Sequence, residues 1–132
     1  LLFVPYWEDS HPDHWKACEL AEASRFWAKL EKADLPYAPH YPRKVLHFFS
    51  THIRPKVEPS FVFDTSEMHS AKMDSLRAYR SQFEENPLNR VIFDNVENEN
   101  RYWGRRIGAQ YGEPFLCRET IGLRSSDALV MV

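Results

Sequence analysis

The chain opens on the apolar run Leu1-Leu2-Phe3-Val4 and by residue 11 has reached His11-Pro12-Asp13-His14, where a helical pattern takes over. A short continuous apolar run suits a strand buried on both faces. Pro12 suits a first helical turn, where its missing N–H has no intrahelical partner to lose. That places His11 at the helix cap and His14 one turn along, so both imidazoles can address one point in space. In an open α/β sheet, groups between the carboxyl end of a strand and the next helix face the crevice where ligands bind.

A neutral imidazole is a good zinc ligand, and a carboxylate beside a second imidazole can fix its tautomer and raise its basicity. The tetrad can therefore supply one metal ligand and one proton-bearing group. Taken alone, it reads first as a set of solvated capping residues, since acidic side chains favour the positive end of a helix dipole.

A chain of 132 residues is expected to form one domain with a real core. A formal net charge of -2 with acids and bases interspersed gives no reason to expect nucleic acid or an anionic membrane as a partner. Two cysteines, Cys18 and Cys117, are too few for a disulfide framework and lie in no C-x-x-C pair. Both read as reduced thiols, with Cys18 a small buried hydrophobe. No stretch is long enough to span a membrane and no signal peptide opens the chain, so a cytoplasmic location is the expectation.

Residues 15–32 predict an amphipathic helix laid on a sheet, with Lys16, Glu19, Glu22, Arg25, Lys29 and Lys32 outward and Ala17, Leu20, Ala21, Ser24, Trp27 and Ala28 inward. Trp15 and Trp27 read as core before sugar-stacking platforms. Pro36, Pro39 and Pro42 prescribe an extended connector over 33–44, with His40 a loop histidine. Residues 45–49 predict a buried strand whose one polar residue, His47, needs a carbonyl partner. The loop 50–60 carries His52, Arg54 and Lys56. It reads as a solvated basic loop, with carboxylate binding by Arg54 as the alternative.

Residues 61–63 predict another strand, and Asp64 to Glu67 a helix start with a carboxylate cap. That helix is expected to run to about Phe83 with Met73, Leu76, Tyr79 or Arg80, and Phe83 inward, and with Met68 and Met73 as filler. Residues 91–93 are a short strand or a helix lead-in, which periodicity cannot separate. A helix over 96–111 should stack Trp103, Ile107 and Tyr111, with Gly104 and Gly108 permitting close backbone approach. Gly112 and Pro114 should end it. The apolar end 128–132 could seal a homo-oligomer interface or cover the sheet.

The tetrad and its flanks resemble the PIG-L/LmbE family of zinc-dependent N-acetylglucosamine deacetylases. Four blocks look like the branch that makes bacillithiol: Phe3-Val4-Pro5-Tyr6-Trp7-Glu8-Asp9, then residues 58–64, Arg77-Ala78-Tyr79-Arg80-Ser81-Gln82-Phe83, and Tyr111-Gly112-Glu113-Pro114-Phe115-Leu116. They run in family order to about residue 123. Ser10 stands where many members of the branch carry Arg.

The resemblance implies a Rossmann-like three-layer α/β fold, here its C-terminal portion with a partly parallel sheet and about three helices. It implies Zn2+ as cofactor, an amino-sugar substrate, His14 as a metal ligand, His11 as the oxyanion-stabilising group and Asp13 as its orienting partner. Asp9 and Glu113 enter as substrate contacts. The family's earlier His-Pro-Asp-Asp motif is missing, so the chain is expected to be the C-terminal part of a longer enzyme, inactive and weak for zinc alone. Alternatives are a same-family deacetylase of chitooligosaccharides or lipid-linked glucosamine, and a non-catalytic interaction domain.

Overall fold

The computed structural model describes residues 1–32, 34–50 and 56–129. His52, Arg54 and the end of the apolar tail, Val130 to Val132, lie outside the described residues. Four strands and four α-helices run in the order β1 (Leu2–Pro5), α1 (Pro12–Ala28), β2 (Val45–Phe48), β3 (Phe61–Asp64), α2 (His69–Arg77), α3 (Arg80–Phe83), α4 (Val91–Ile107) and β4 (Gly112–Leu116). Single 3-10 turns cover Ser66–Met68 and Ser126–Leu129. The strands form one mixed sheet in the order β1-β2-β4-β3, with β1 parallel to β2 and β4 antiparallel to β2. The expected α/β class and partly parallel sheet are both present.

Two compact units divide the chain, residues 1–60 with 115–122 and residues 61–114 with 123–132. In the first, Val4 of β1, Cys18 of α1 and Val45 of β2 form the core, flanked by Leu2, Trp7 and Ala21. The parallel register pairs Leu2 with Val45 and Pro5 with Phe48. Parallel pairing requires a crossover, and α1 supplies it. The helix begins at Pro12 with His11 as its cap, as the proline chemistry predicts, and His11 Nδ1 accepts the Asp13 amide. The helix stops at Ala28, whose carbonyl takes the amide of His40 in the connector at 2.8 Å.

The inward face of α1 differs from the expected one. Leu20 and Trp27 are 70% and 61% exposed. The sheet side instead carries Cys18, Ala21, Glu22 and Arg25. Two of these are charged, and each has a partner: Glu22 meets His47, while Arg25 meets Glu119 and the carbonyls of Pro42 and Arg43. Hydrogen bonds to charged groups outweigh a hydrophobic face only when the charges are paired, as here. Trp27, exposed on the far side, is not part of the core.

The second unit corrects three expectations. Asp64 does cap a turn, with Oδ1 accepting from the Ser66 amide and hydroxyl, but the expected long helix is divided into α2 and α3 at Ala78 and Tyr79, which gives four helices instead of three. Met68 lies 65% exposed while Met73 is buried, so only the latter fills the core. Residues 91–93 are the first turn of α4, not a strand, and that helix ends four residues before Tyr111.

Close approach holds for Gly104 and not for Gly108. A Cβ on Gly104 would fall 2.6 Å from the Tyr111 backbone, whereas Gly108 has open space and a φ of 79°. Gly108 is the left-handed residue that ends α4. The chain then continues as β4, a strand hidden by Gly112 and Pro114, both poor strand formers. Gly112 is admitted because a Cβ there would meet the Gly104 nitrogen and Val62 Cγ1 at 2.8 Å. Pro114 lies outside the paired residues Phe115 and Leu116 that face β2.

Gly104→Ala should therefore destabilise the chain by about 1–3 kcal/mol, the cost of forcing a methyl into a packed backbone contact. Gly108→Ala should cost about 1 kcal/mol through its left-handed conformation alone. Urea midpoints of the two variants, with Gly104→Ala the lower, check this order.

Candidate functional site

The turn between β1 and α1 is built around Asp9, whose side chain has no exposed surface. A buried carboxylate survives only where donors surround it. Its Oδ1 accepts the His11 amide at 2.8 Å, and its Oδ2 accepts from the Ser50 hydroxyl at 2.8 Å and faces His14 Nδ1 at 2.9 Å. Because a carboxylate only accepts, the proton of neutral His14 sits on Nδ1 and Nε2 carries the lone pair. Ser50 Oγ, 3.0 Å from His14 Nδ1, gives its own proton to Asp9 and so faces the same N–H as an acceptor.

His11 and His14 are brought together as the one-turn spacing predicts. Their rings stack with centroids 4.6 Å apart and planes at 22°. His14 retains about a third of its side-chain surface and His11 half. The Asp13 carboxylate is 90% exposed and 4.0 Å from His11 Nδ1, while the Asp13 amide donates to that nitrogen at 3.2 Å. One nitrogen cannot accept an N–H and donate to a carboxylate together, and the shorter contact is the amide. Asp13 thus reaches His11 through its backbone, and neutral His11 carries its proton on Nε2. The hydrogen-bonded carboxylate of this turn is Asp9, expected as a substrate contact and found enclosed beneath the histidines.

Glu113 lies in the second unit, where its carboxylate faces Lys72 at 3.2 Å. A cluster that sequence reasoning did not foresee lies in the same unit. Glu97 receives His69 Nε2 at 2.6 Å, the Tyr111 hydroxyl at 2.8 Å and Arg101 Nε at 2.7 Å. The His69 and Tyr111 rings stack at 3.5 Å, nearly parallel. The hydrogen bond from His69, reinforced by those from Tyr111 and Arg101, pulls the Glu97 carboxyl from 4.5 down to about 2. The same carboxylate pushes the Tyr111 hydroxyl up.

A further donor set in the first unit also escaped the sequence reading. Cys18, Glu22 and His47 offer a thiol, a carboxylate and an imidazole whose ligand atoms all lie within 4.8 Å of one another. The available signal was a Cys and a Glu four residues apart on α1, hence on one face, and a lone histidine in an apolar strand. The expectation that His47 bonds a carbonyl holds, with Nδ1 3.4 Å from the Leu116 oxygen, but Glu22 is the nearer partner at 2.9 Å.

No family model matches the chain. Among solved structures, the conserved protein TT1542 from Thermus thermophilus superposes with a TM-score of 0.79 at 31% identity, over 92% of this chain and 53% of that one. GalB, the 4-carboxy-2-hydroxymuconate hydratase from Pseudomonas putida, gives 0.72 at 14% identity, over 93% of this chain and 53% of that one. An N,N'-diacetylchitobiose deacetylase from Pyrococcus horikoshii gives 0.65 at 23% identity, over 87% of this chain and 44% of that one. The chain has a deacetylase-like fold. It spans about half the length of the structures it matches. The likeness to these structures is a likeness of fold. A hydratase shares that fold, so chemistry must be argued from the site. Among the described residues, no helix is long and apolar enough to cross a membrane.

Because its carboxyl is held near 2, Glu97 stabilises the fold above its ordinary value of 4.5 and loses that contribution as pH falls toward 2. Glu97→Gln should lower the urea midpoint near neutral pH, and the gap to the parent should close between those two values. A gap independent of pH would show that charge is not what the cluster contributes.

Proposed function

We propose that the chain is the C-terminal part of a single deacetylase domain that hydrolyses the N-acetyl group of an N-acetylglucosamine conjugate. The preferred substrate in this reading is N-acetylglucosaminyl malate, on the route to bacillithiol. The observation that carries it is the Asp9–His14 pair: a buried carboxylate takes the Nδ1 proton and leaves Nε2 of a partly exposed imidazole as the ligand nitrogen. This is the arrangement that orients metal-bound histidines, so His14 fits one position of a zinc site. When bound, zinc would polarise the amide carbonyl and acidify a water.

The chain's own residues supply positioning and hydrogen bonding. Hydrolysis breaks the acetyl C–N bond, adds water's hydroxyl to the acyl carbon and sends a proton to the departing amine. His11, stacked on His14 and anchored at Nδ1 by the Asp13 amide, aims its Nε2–H donor at the oxygen on which negative charge develops. Asp13 adds negative charge 4.0 Å from that ring. Asp9 and Ser50 keep His14 in one tautomer and one orientation. The soluble amino-sugar substrate and cytoplasmic setting belong to the same reading, as does zinc itself. A chitooligosaccharide is the second substrate reading, favoured by the structural likeness to the diacetylchitobiose deacetylase.

Acetate release by the full-length gene product, measured against N-acetylglucosaminyl malate, N,N'-diacetylchitobiose and N-acetylglucosaminyl phosphatidylinositol, tests this. His11→Ala should lower kcat about 10²-fold or more. Asp9→Asn should cost about 10- to 100-fold through His14, and Asp13→Asn only a few-fold. Absence of acetate release from all three sugars in zinc-loaded protein would reject the deacetylase reading. A loss in Asp13→Asn as large as that in Asp9→Asn would reject the roles given to the two carboxylates.

A further inference from the structure

We propose that Cys18, Glu22 and His47 form a second cation site, separate from His14, that takes a borderline transition-metal ion such as Zn2+. The three side chains converge from two elements, Cys18 and Glu22 from one face of α1 and His47 from the middle of β2. Cys18 and His47 are almost wholly buried, each with 1% of its surface exposed. A thiolate, an imidazole and one carboxylate oxygen are a donor set suited to zinc or cobalt and poorly suited to magnesium or calcium. Ligand atoms around a tetrahedral zinc stand roughly 3.5 Å apart. The present spacing of at most 4.8 Å therefore needs a contraction of about an ångström.

The surroundings of His47 already match those of a metal-bound histidine. Its Nδ1 faces the Leu116 carbonyl, and its Nε2 faces the Glu22 carboxylate. A ligating histidine characteristically gives its other ring N–H to such a carbonyl. Trp7 holds the ring edge to face at 4.7 Å. Glu22 presents Oε1 to His47 and Oε2 to Arg118 at 3.4 Å, so one oxygen can bind the ion while Arg118 steadies the other. A cavity of about 250 Å³ borders two of the three donors, Glu22 and His47, together with Arg25 and Arg118.

Charge and protons balance without any redox change. The ion displaces the thiol proton of Cys18 to solvent, while His47 keeps one ring proton, on Nδ1 toward the Leu116 carbonyl, and turns the lone pair of Nε2 to the ion. A divalent ion with one thiolate and one carboxylate is neutral overall, which lowers the penalty of burying it. Without the ion, burial and then the neighbouring Glu22 push the Cys18 thiol up, keeping it protonated. This set is independent of the deacetylase reading. It also changes the expected weak zinc uptake, which counted His14 as the chain's one ligand.

The test is titration of the reduced, chelator-stripped chain with Co2+, then competition with Zn2+. One equivalent of Co2+ should bind with a thiolate-to-cobalt absorption band that Zn2+ bleaches. That band should be absent in Cys18→Ser and keep its intensity in Cys117→Ser and His14→Ala, since the His14 site contains no sulfur. Glu22→Gln should weaken binding about tenfold or more. Failure to see the band, or its survival in Cys18→Ser, overturns the proposal. Should Cys18→Ser lose its far-ultraviolet circular dichroism, Glu22→Gln decides: unchanged cobalt affinity there overturns it equally.

Discussion

The buried carboxylate of Asp9 is the constraint on which the first unit depends. With no exposed surface it must be satisfied from inside, and donors reach it from separate places in the sequence: the His11 amide at the helix cap, the His14 ring on α1 and the Ser50 hydroxyl just beyond β2. Removing any one would leave a buried charge short of a partner, a cost of about 1–3 kcal/mol or more. The same contacts therefore close the β1–α1 turn and set the tautomer of His14. One group here both closes the turn and orients the imidazole, so the geometry of the histidines is not adjustable apart from the fold.

A similar economy explains the orientation of α1. Hydrophobic patterning alone would turn Leu20 and Trp27 inward, yet both face solvent. The helix is rolled so that Cys18 and Ala21 meet the strands while Glu22 and Arg25 reach His47 and Glu119. Once His47 is placed in the centre of β2, it needs a partner other than the weak contact at Leu116, and Glu22 of α1 supplies it at 2.9 Å. Arg25 is then carried round by its spacing from Glu22 and is satisfied by Glu119, which it holds below the usual carboxylate range together with Lys44.

What could be read from the sequence was whatever is local. The strand at residues 2–5, the Pro12 helix start and the stacking of His11 on His14 follow from apolar runs, proline chemistry and one-turn spacing. The face of α1 could not be read, because it depends on partners at residues 47 and 119 that are remote in the chain. Strand β4 was hidden for a related reason: Gly112 and Pro114 signal a break, and only contact with Gly104 and Val62 makes glycine the residue that fits there. Asp9 was legible as part of the site but not as its foundation, since nothing local announces that a carboxylate is enclosed.

The two histidine environments of the first unit bear on how function should be assigned to this fold. His14 presents Nδ1 to the Asp9 carboxylate, and His47 presents Nδ1 to the Leu116 carbonyl and Nε2 to the Glu22 carboxylate. They differ in access and in donors. His14 keeps a third of its surface and stacks on a second imidazole that can hydrogen-bond a substrate, which suits an open site where bonds are made and broken. His47 is enclosed with a thiol, which suits an ion held for structure. Because a hydratase and a deacetylase share this fold, the distinction rests on the side chains each histidine meets and not on the sheet that carries them.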